Sequence, residues 1–186
     1  MTDDTLKGYS TRYGKSEIVE WFKTCTDVRR ILDIGAGSGT YSKLLKQESK
    51  LCVNSEWVAV EAWQPYIKEF NLESLYDTVI NEDARKLDWE NIGKFSVAIA
   101  GDVLEHMSKD EAVSLVDKIL SHSKILIISL PIRFMPQEEI AGNPFEVHVK
   151  PDWSHVEVID TWGDKIKQMY LKSPKSKQAV YWLSND

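Results

Sequence analysis

Residues 31–42 of the chain read ILDIGAGSGTYS, an apolar run that leads directly into three glycines, Gly35, Gly37 and Gly39. The apolar run predicts a buried strand, and the apolar spacing after it predicts a helix over residues 40–47. Glycines have no side chains, so a ligand can approach the backbone of this turn closely, and the helix start offers unpaired N–H groups. The stretch therefore predicts a ligand-binding turn, although a tight strand-to-helix turn without a ligand shows the same pattern.

Strand and helix patterns alternate along most of the chain. The predicted strands lie within residues 29–35, 57–62, 77–84, 95–104 and 124–132, and the predicted helices within residues 16–23, 40–47, 65–70, 108–121 and 154–162. Such alternation is typical of an α/β fold with a doubly wound, mostly parallel sheet. Residues 165–173 and 178–184 flank the sequence PKSK and predict an antiparallel hairpin at the edge of that sheet.

Length and composition are those of one ordinary globular domain. The chain has 186 residues, of which 42% are hydrophobic and 28% charged, and a formal net charge of -6. No apolar run approaches the roughly 18 residues that cross a membrane, and the polar start MTDDTLKGYS does not resemble a signal peptide. Cys25 and Cys52 lie far apart, without the spacing of a metal site. We therefore expect a cytoplasmic protein that makes no membrane contact and has little general affinity for nucleic acid.

Four acidic residues stand at the ends of four consecutive predicted strands, at Asp33, Glu61, Asp83 and Asp102. Glu61 follows Gly39 by 22 residues, at the place where an acid can accept both hydroxyls of a ribose. Asp83 is placed to bind an adenine amino group, and Asp102 points into the same crevice. Each acid alone is commonly a helix cap or a solvated loop residue. Together with the glycine turn they predict a nucleotide-like cofactor at the carboxyl edge of the sheet.

The glycine pattern does not fit a dinucleotide fingerprint, which needs its third glycine at position 40, where this chain has Thr40. LDIGAGSGTYS instead resembles the first motif of class I S-adenosylmethionine-dependent methyltransferases. The sequences AVEAWQP, NEDARKL and GDVLEHM follow in the order of that family, so that the resemblance covers about residues 28–130. The resemblance implies a Rossmann-like sheet of seven strands whose last strand is antiparallel, in agreement with the hairpin predicted above.

The resemblance also implies S-adenosylmethionine as the cofactor and a role for individual residues. The turn with Gly35, Gly37 and Gly39 would face the methionine part of the cofactor, near Asp33. Asp102 would approach the methionine amino group.

On the adenosine side, the resemblance implies that Glu61 holds the ribose. Asp83 and Ala84 would meet the adenine, and Ala62 or Trp63 would cover the other face of the base.

Two histidines are candidate catalytic residues, because an oxygen or protonated nitrogen acceptor needs a base during methyl transfer. His106 lies just after the fourth strand; its alternative role, shared with Glu105, is to orient the loop before the next helix. His148 lies in the long segment 131–153, which we predict to be a substrate-side loop or a lid with Phe145 and Trp153 packed beneath it.

Within that segment, GNPFEVH resembles a stretch of small methyltransferases that include bacteriophage proteins. A strand would place Glu146 and His148 on one face, but two ligands are too few, so no metal site is predicted. Residues 1–15, with Tyr9, Tyr13 and Lys15, are predicted to be a flexible arm or a flap over the cofactor.

These features predict a single methyltransferase domain over residues 1–186 that transfers methyl to an oxygen or nitrogen of a small-molecule or sugar-like acceptor. The NPPY, DPPY and PC motifs of DNA methyltransferases are absent from the expected places. Three alternatives remain open: a module that binds the cofactor without transfer, a protein or nucleic-acid methyltransferase, and a nicotinamide-dependent reductase. The sequence gives no prediction of oligomeric state.

Overall fold

The computed structural model describes residues 13–173 and 175–186, and in this part of the chain seven strands form one sheet. The strands are β1 Arg30–Ile34, β2 Glu56–Val60, β3 Thr78–Ile80, β4 Phe95–Gly101, β5 Ser123–Pro131, β6 Ile166–Tyr170 and β7 Gln178–Leu183. Their order is β3-β2-β1-β4-β5-β7-β6; β1 to β5 are parallel, and β7 runs antiparallel to both β5 and β6. The predicted doubly wound α/β sheet and its antiparallel hairpin are confirmed.

Six α-helices connect or flank these strands in the described residues. They are α1 Lys15–Thr24, α2 Thr40–Glu48, α3 Lys50–Asn54, α4 Gln64–Glu69, α5 Lys109–His122 and α6 His155–Trp162. A capping box starts α5, because Ser108 and Glu111 each bind the backbone N–H of the other. The short helix α3 was not predicted. No helix within 13–173 and 175–186 combines the length and apolar composition that a membrane span requires.

Each face of the sheet carries its own apolar layer, and β1 contributes to both. Leu32 and Ile34 face the layer that contains α5 and α6, whereas Ile31 faces the layer that contains α1 and α2. Successive side chains of a strand point to opposite faces, so Asp33 shares the face of Ile31. The sheet is thus covered on both sides, as its parallel strands require.

The parallel register brings the strand ends to one edge of the sheet. Ile34 pairs with Val60 on one side and with Ala100 on the other. The backbone N–H of Gly35 donates to the Val60 carbonyl at 2.8 Å, and that of Glu61 donates to the Ile80 carbonyl at 3.0 Å. The residues that follow β1, β2 and β4 therefore start from neighbouring positions.

Asp33 is a buried acid beneath this edge. Its side chain is 1% exposed, and its Oδ2 accepts a hydrogen bond from the hydroxyl of Tyr76 at 2.5 Å. Burial raises the pKa of Asp33 to about 7, although the Tyr76 hydrogen bond and the charge of Lys15 act in the opposite direction. The carboxyl group is therefore partly protonated near neutral pH.

Gly101 at the end of β4 has no room for a side chain, because a β-carbon there would overlap the buried ring of Tyr41. We expect Gly101→Ala to lower the free energy of unfolding by about 2 kcal/mol, measured by urea denaturation. In a Tyr41→Ala background the same change should cost much less, since the ring is gone. Equal costs in the two backgrounds would contradict this assignment.

Asp33→Asn is expected to remove a pH dependence from the stability. The folded-state pKa of about 7 lies above the unfolded value of 3.8, so the native state binds the proton more tightly. Asp33 therefore favours folding at low pH and loses this contribution as the pH rises from about 4 to 7. The free energy of unfolding of the wild type minus that of the variant should fall by about 3 kcal/mol between pH 4.5 and 7.

Urea denaturation of both proteins at the two pH values measures this difference, and the titrating groups that do not interact with Asp33 cancel. A difference that stays constant to within about 1 kcal/mol would show that Asp33 titrates as it does in the unfolded chain.

Candidate functional site

A large cavity opens at the carboxyl edge of the sheet. Its volume is about 1560 Å³, and its walls come from the turn after β1, the ends of β2 and β4, the segment 133–148 and the hairpin residues 172–173 and 175–178. Typical small-molecule pockets measure roughly 300–1,000 Å³, so this cavity has room for two ligands side by side.

The glycine turn and Glu61 form one wall of the cavity. Glu61 is 5% exposed; its Oε2 accepts the N–H of Gly37 at 2.9 Å and its Oε1 accepts the N–H of Trp63 at 2.8 Å. Burial raises the pKa of Glu61, and these two N–H groups counteract it. Gly35 and Gly37 line the cavity, whereas a β-carbon at Gly39 would lie 2.6 Å from Cδ1 of Leu75. Gly39 therefore allows the start of α2 to pack closely.

Asp83 lies on the same side of the cavity and is held by Arg85. The Arg85 guanidinium donates to both carboxylate oxygens of Asp83, with the shortest distance at 2.6 Å. Burial opposes ionisation of Asp83, but the hydrogen bonds and charge of Arg85 outweigh it and lower the pKa. Ala84 also lines the cavity, as does Arg85. The sequence did not predict the ion pair between Asp83 and Arg85.

Ala62 also lines the cavity, whereas Asp33, Gly39 and Trp63 are not among its lining residues in the described chain. The Trp63 ring lies 6.5 Å from the ring of Phe145, measured between centroids. Ala62, Asp83 and Ala84 therefore line the same cavity, and Trp63 lies next to Phe145, which also lines it.

Asp102 lies at the end of β4 in a left-handed backbone conformation, with φ of 58°. Its N–H donates to the carbonyl of Ser129 at 2.8 Å. Its Oδ1 accepts hydrogen bonds from Ser129 Oγ at 3.3 Å and from Gln178 Nε2. Asp102 faces the cavity as predicted, but its partners from β5 and β7 were not foreseen.

The two candidate histidines meet on another wall, together with Glu105. The ring centroids of His106 and His148 are 4.8 Å apart, although 42 positions separate the residues in sequence. His106 Nδ1 lies 3.2 Å from the Val147 carbonyl oxygen, and His148 Nδ1 lies 2.6 Å from that of Met135. The predicted histidines thus belong to one cluster.

Burial favours the neutral forms of Glu105 and His106 in this cluster. Glu105 is 1% exposed, and burial, followed by the nearby charge of Asp102, raises its pKa well above the usual value. Burial and then His148 lower the pKa of His106 to about 4, with backbone carbonyls around the ring acting in the opposite direction. The sequence predicts for Glu105 only a role in orienting the loop. Its position directly before His106 is the feature that could have indicated its membership in the cluster.

Hydrogen bonds within segment 131–153 and from it to the rest of the protein fix its position. Lys150 N–H donates to the Glu105 carbonyl at 3.0 Å, and His148 N–H donates to the Gln137 carbonyl at 3.0 Å. Tyr66 donates its hydroxyl to Glu146 Oε1 at 2.8 Å. Glu146 and His148 do not lie on a strand, since residues 144–146 form a turn of 3₁₀ helix.

The two aromatic residues expected beneath this segment differ in burial. Trp153 is 1% exposed and stacks on Trp162, with 5.4 Å between the centroids, as expected of a residue packed under a loop. Phe145 is 37% exposed, so the prediction is wrong for this residue. Phe145 instead lines the open side of the cavity.

The arm preceding α1 reaches the hairpin. Tyr9 lies outside the described residues, but the Tyr13 hydroxyl lies 3.1 Å from Ser176 Oγ and accepts the N–H of Lys172. The ammonium group of Lys15 lies 4.1 Å from the centroid of the Tyr41 ring. Tyr13 and Lys15 both line the cavity.

Comparison with known proteins places the fold and this cavity in a family. The methyltransferase domain family matches residues 32–128, just over half of the chain. None of the curated proteins compared with the chain matches it significantly.

Several solved structures share the fold at low sequence identity. The N-terminal domain of EvdMO1, solved with S-adenosylhomocysteine bound, superposes with a TM-score of 0.69 at 11% identity over 94% of this chain and 82% of that one. Magnesium protoporphyrin IX methyltransferase (ChlM) from Synechocystis PCC 6803, with S-adenosylmethionine bound, gives 0.64 at 17% identity over 92% and 77%. An S-adenosylmethionine-dependent methyltransferase from Clostridium acetobutylicum ATCC 824 gives 0.65 at 11% identity over 91% and 88%.

The family match begins within β1, the strand that precedes the glycine turn, and ends within β5. It therefore includes the turn and the ends of β1 to β4. The chain therefore belongs to the class I S-adenosylmethionine-dependent methyltransferases, and it is an enzyme that uses S-adenosylmethionine as its cofactor.

Proposed function

We propose that the protein transfers the methyl group of S-adenosylmethionine to an oxygen or nitrogen atom of a small-molecule or sugar-like acceptor. The observation that carries this proposal is the cavity itself. One wall has the glycine turn and Glu61, another has His106 and His148, and the volume of about 1560 Å³ accommodates cofactor and acceptor together. In the reaction the acceptor forms a bond to the methyl carbon as the sulfonium bond breaks, and the acceptor loses a proton.

The adenosine half of the cofactor is assigned to the wall with Glu61 and Asp83. Glu61 accepts one N–H at each carboxylate oxygen, and each oxygen retains a lone pair that can accept a ribose hydroxyl. Asp83 and Ala84 would meet the adenine, with Ala62 on its other face. Trp63 would support that face from behind through its contact with the neighbouring loop.

The methionine half is assigned to the glycine turn and Asp102. Gly35 and Gly37 present backbone to the cavity, and a β-carbon at Gly35 would lie 2.7 Å from Cγ2 of Val103. The Asp102 carboxylate, held by Gln178, would bind the methionine amino group. Asp33 is covered by Tyr76, so we assign it a positioning role beneath the turn.

The acceptor is assigned to the wall with the two histidines, which handle the proton that the acceptor loses. General bases contribute typically 10²–10⁴-fold to a rate, while alignment and exclusion of water supply the larger part. Segment 131–153 closes this wall and therefore acts as the substrate-side loop.

A small acceptor agrees with two further observations. The net charge of -6 disfavours general binding of polyanions. Among the structures of similar fold, the N-terminal domain of EvdMO1 was also solved in the presence of S-adenosylhomocysteine and D-fucose, and ChlM acts on magnesium protoporphyrin IX.

One observation favours a nucleic-acid acceptor as the second candidate. Arg133, Lys172, Lys175 and Lys177 all lie at the mouth of the cavity, and all four are exposed. A cluster of cations beside an active site attracts phosphate groups, even on a protein whose overall charge is negative.

Transfer of labelled methyl from S-adenosylmethionine distinguishes these candidates. We expect label in small hydroxylated or amino acceptors, including deoxyhexoses, and none in RNA or DNA oligonucleotides. Labelled oligonucleotides, with a rate that falls steeply as salt rises, would instead establish the second candidate. Tight binding of S-adenosylhomocysteine without label in either class of acceptor would contradict both candidates.

Glu61→Ala is expected to weaken binding of S-adenosylhomocysteine by about 2–3 kcal/mol, because a charged acceptor of two ribose hydroxyls is lost. Isothermal calorimetry measures the dissociation constant. Glu56→Ala, at the opposite end of β2 and partly exposed, is the matched control and should bind like the wild type.

Gly37→Val tests the same wall by filling it, since Gly37 lines the cavity with φ of 50°. This variant should show no measurable binding. Normal binding by both Glu61→Ala and Gly37→Val would place the cofactor outside this cavity.

A further inference from the structure

Three side chains with metal-binding atoms converge on the acceptor wall. One nitrogen of His106, one nitrogen of His148 and one carboxylate oxygen of Glu105 all lie within 4.8 Å of one another. The hydrogen bond from Lys150 N–H to the Glu105 carbonyl fixes the loop of His148 against the turn that carries the other two residues. The cluster thus joins two separate segments of the chain.

Both imidazoles are oriented as metal ligands usually are. Each Nδ1 faces a backbone carbonyl oxygen, that of Val147 for His106 and that of Met135 for His148. A carbonyl oxygen can only accept a hydrogen bond, so each of these contacts favours the neutral tautomer with the proton on Nδ1, which leaves the Nε2 lone pair for a metal. Histidines that bind metals commonly donate their other N–H to such a carbonyl, which fixes the tautomer and the ring orientation.

Glu105 supplies an independent observation that points to a ligand. Its side chain is 1% exposed, yet Oε2 has no hydrogen-bond partner among the described residues. Buried polar atoms nearly always have a partner, because leaving one unsatisfied costs free energy. A cation between this oxygen and the two imidazoles would satisfy it.

We propose that Glu105, His106 and His148 bind one divalent transition-metal ion of the zinc type. Two imidazoles and one carboxylate are a donor set that suits Zn²⁺, Co²⁺ or Fe²⁺, whereas Mg²⁺ and Ca²⁺ prefer oxygen ligands throughout. Metal–ligand bonds of about 2.0–2.1 Å place tetrahedral ligand atoms about 3.3 Å apart. The three ligand atoms now lie within 4.8 Å of one another, so binding draws them together by up to roughly 1.5 Å.

This site deepens the proposed function and, in its chemical role, rests on it. Three protein ligands leave at least one coordination position open toward the cavity, where the hydroxyl oxygen of an acceptor binds. The ion lowers the pKa of that hydroxyl, so the O–H bond breaks and the proton passes to solvent; the two histidines then act on this proton through the ion, not as free bases. The oxygen then attacks the methyl carbon as the bond to sulfur breaks, which releases S-adenosylhomocysteine.

Titration with Co²⁺ tests the site in the tag-free, full-length protein after treatment with a chelator. We expect one equivalent to bind with visible absorption bands of a low-coordinate ion, and Zn²⁺ to displace it, whereas millimolar Mg²⁺ does not. Glu105→Gln, His106→Gln and His148→Gln should each weaken binding by at least about a hundredfold. His122→Gln, which changes a histidine at the end of α5, is the matched control and should leave binding unchanged.

Acetohydroxamic acid is a probe of the open coordination position. Its two oxygen atoms should shift the Co²⁺ bands of the wild type, a change that a buried structural ion with four protein ligands would not show. Failure of the wild type to bind Co²⁺ or Zn²⁺ near stoichiometric concentrations would overturn the site. So would binding that survives both Glu105→Gln and His148→Gln.

Calorimetry with S-adenosylhomocysteine separates the two proposals. Variants that keep this binding are folded, and their loss of metal then reports on the site alone. If a variant loses binding of S-adenosylhomocysteine, X-ray absorption of zinc bound to the wild type provides the test instead. Two imidazole ligands in that spectrum support the site, and fewer than two overturn it. A wild type that binds metal without binding S-adenosylhomocysteine would contradict the proposed function and leave the metal site standing.

Discussion

The geometry of the cavity depends on one buried carboxylate. Glu61 joins the turn after β1 to the loop after β2, because its two oxygens accept N–H groups from Gly37 and Trp63. Both loops start from strands whose ends are aligned by the parallel register, and Glu61 sets their separation. A neutral side chain of the same size would hold these N–H groups less strongly, since hydrogen bonds to charged acceptors are about twice as strong. The Glu61 carboxyl group thus stabilises both loops before any ligand arrives.

The two walls of the cavity use burial in opposite ways. At Asp83, the guanidinium of Arg85 outweighs burial and keeps the carboxylate ionised. At Glu105 and His106, nothing described outweighs it, so both groups are driven toward their neutral forms. Polar ligand groups such as hydroxyls and an amine suit the first wall. The second wall disfavours charge until a partner satisfies it, because a buried charge without a partner costs free energy.

The sequence predicted the helices and strands whose apolar residues recur with a regular period. It missed the contacts that form only when the sheet is assembled. The strands and the capped helix α5 follow from periodicity and from Ser108, whereas α3 has only five residues, too few to show a period. The acids at strand ends were predicted because the register aligns them. Gln178 reaches Asp102 only because β7 inserts beside β5, a pairing across 76 residues that no local signal reveals. Glu105 was missed as a cluster member because its burial comes from distant segments.

The substrate-side segment has a consequence for how such a protein diversifies. Its backbone bonds run to Glu105, to Lys177 and within itself, through Met135 to Pro151 and Gln137 to His148, and none of these bonds involves the glycine turn. Under the proposed function, insertions or exchanges there would change the acceptor and leave the cofactor wall intact. Acceptor specificity and methyl donation would thus depend on separate segments of one small chain and could change independently.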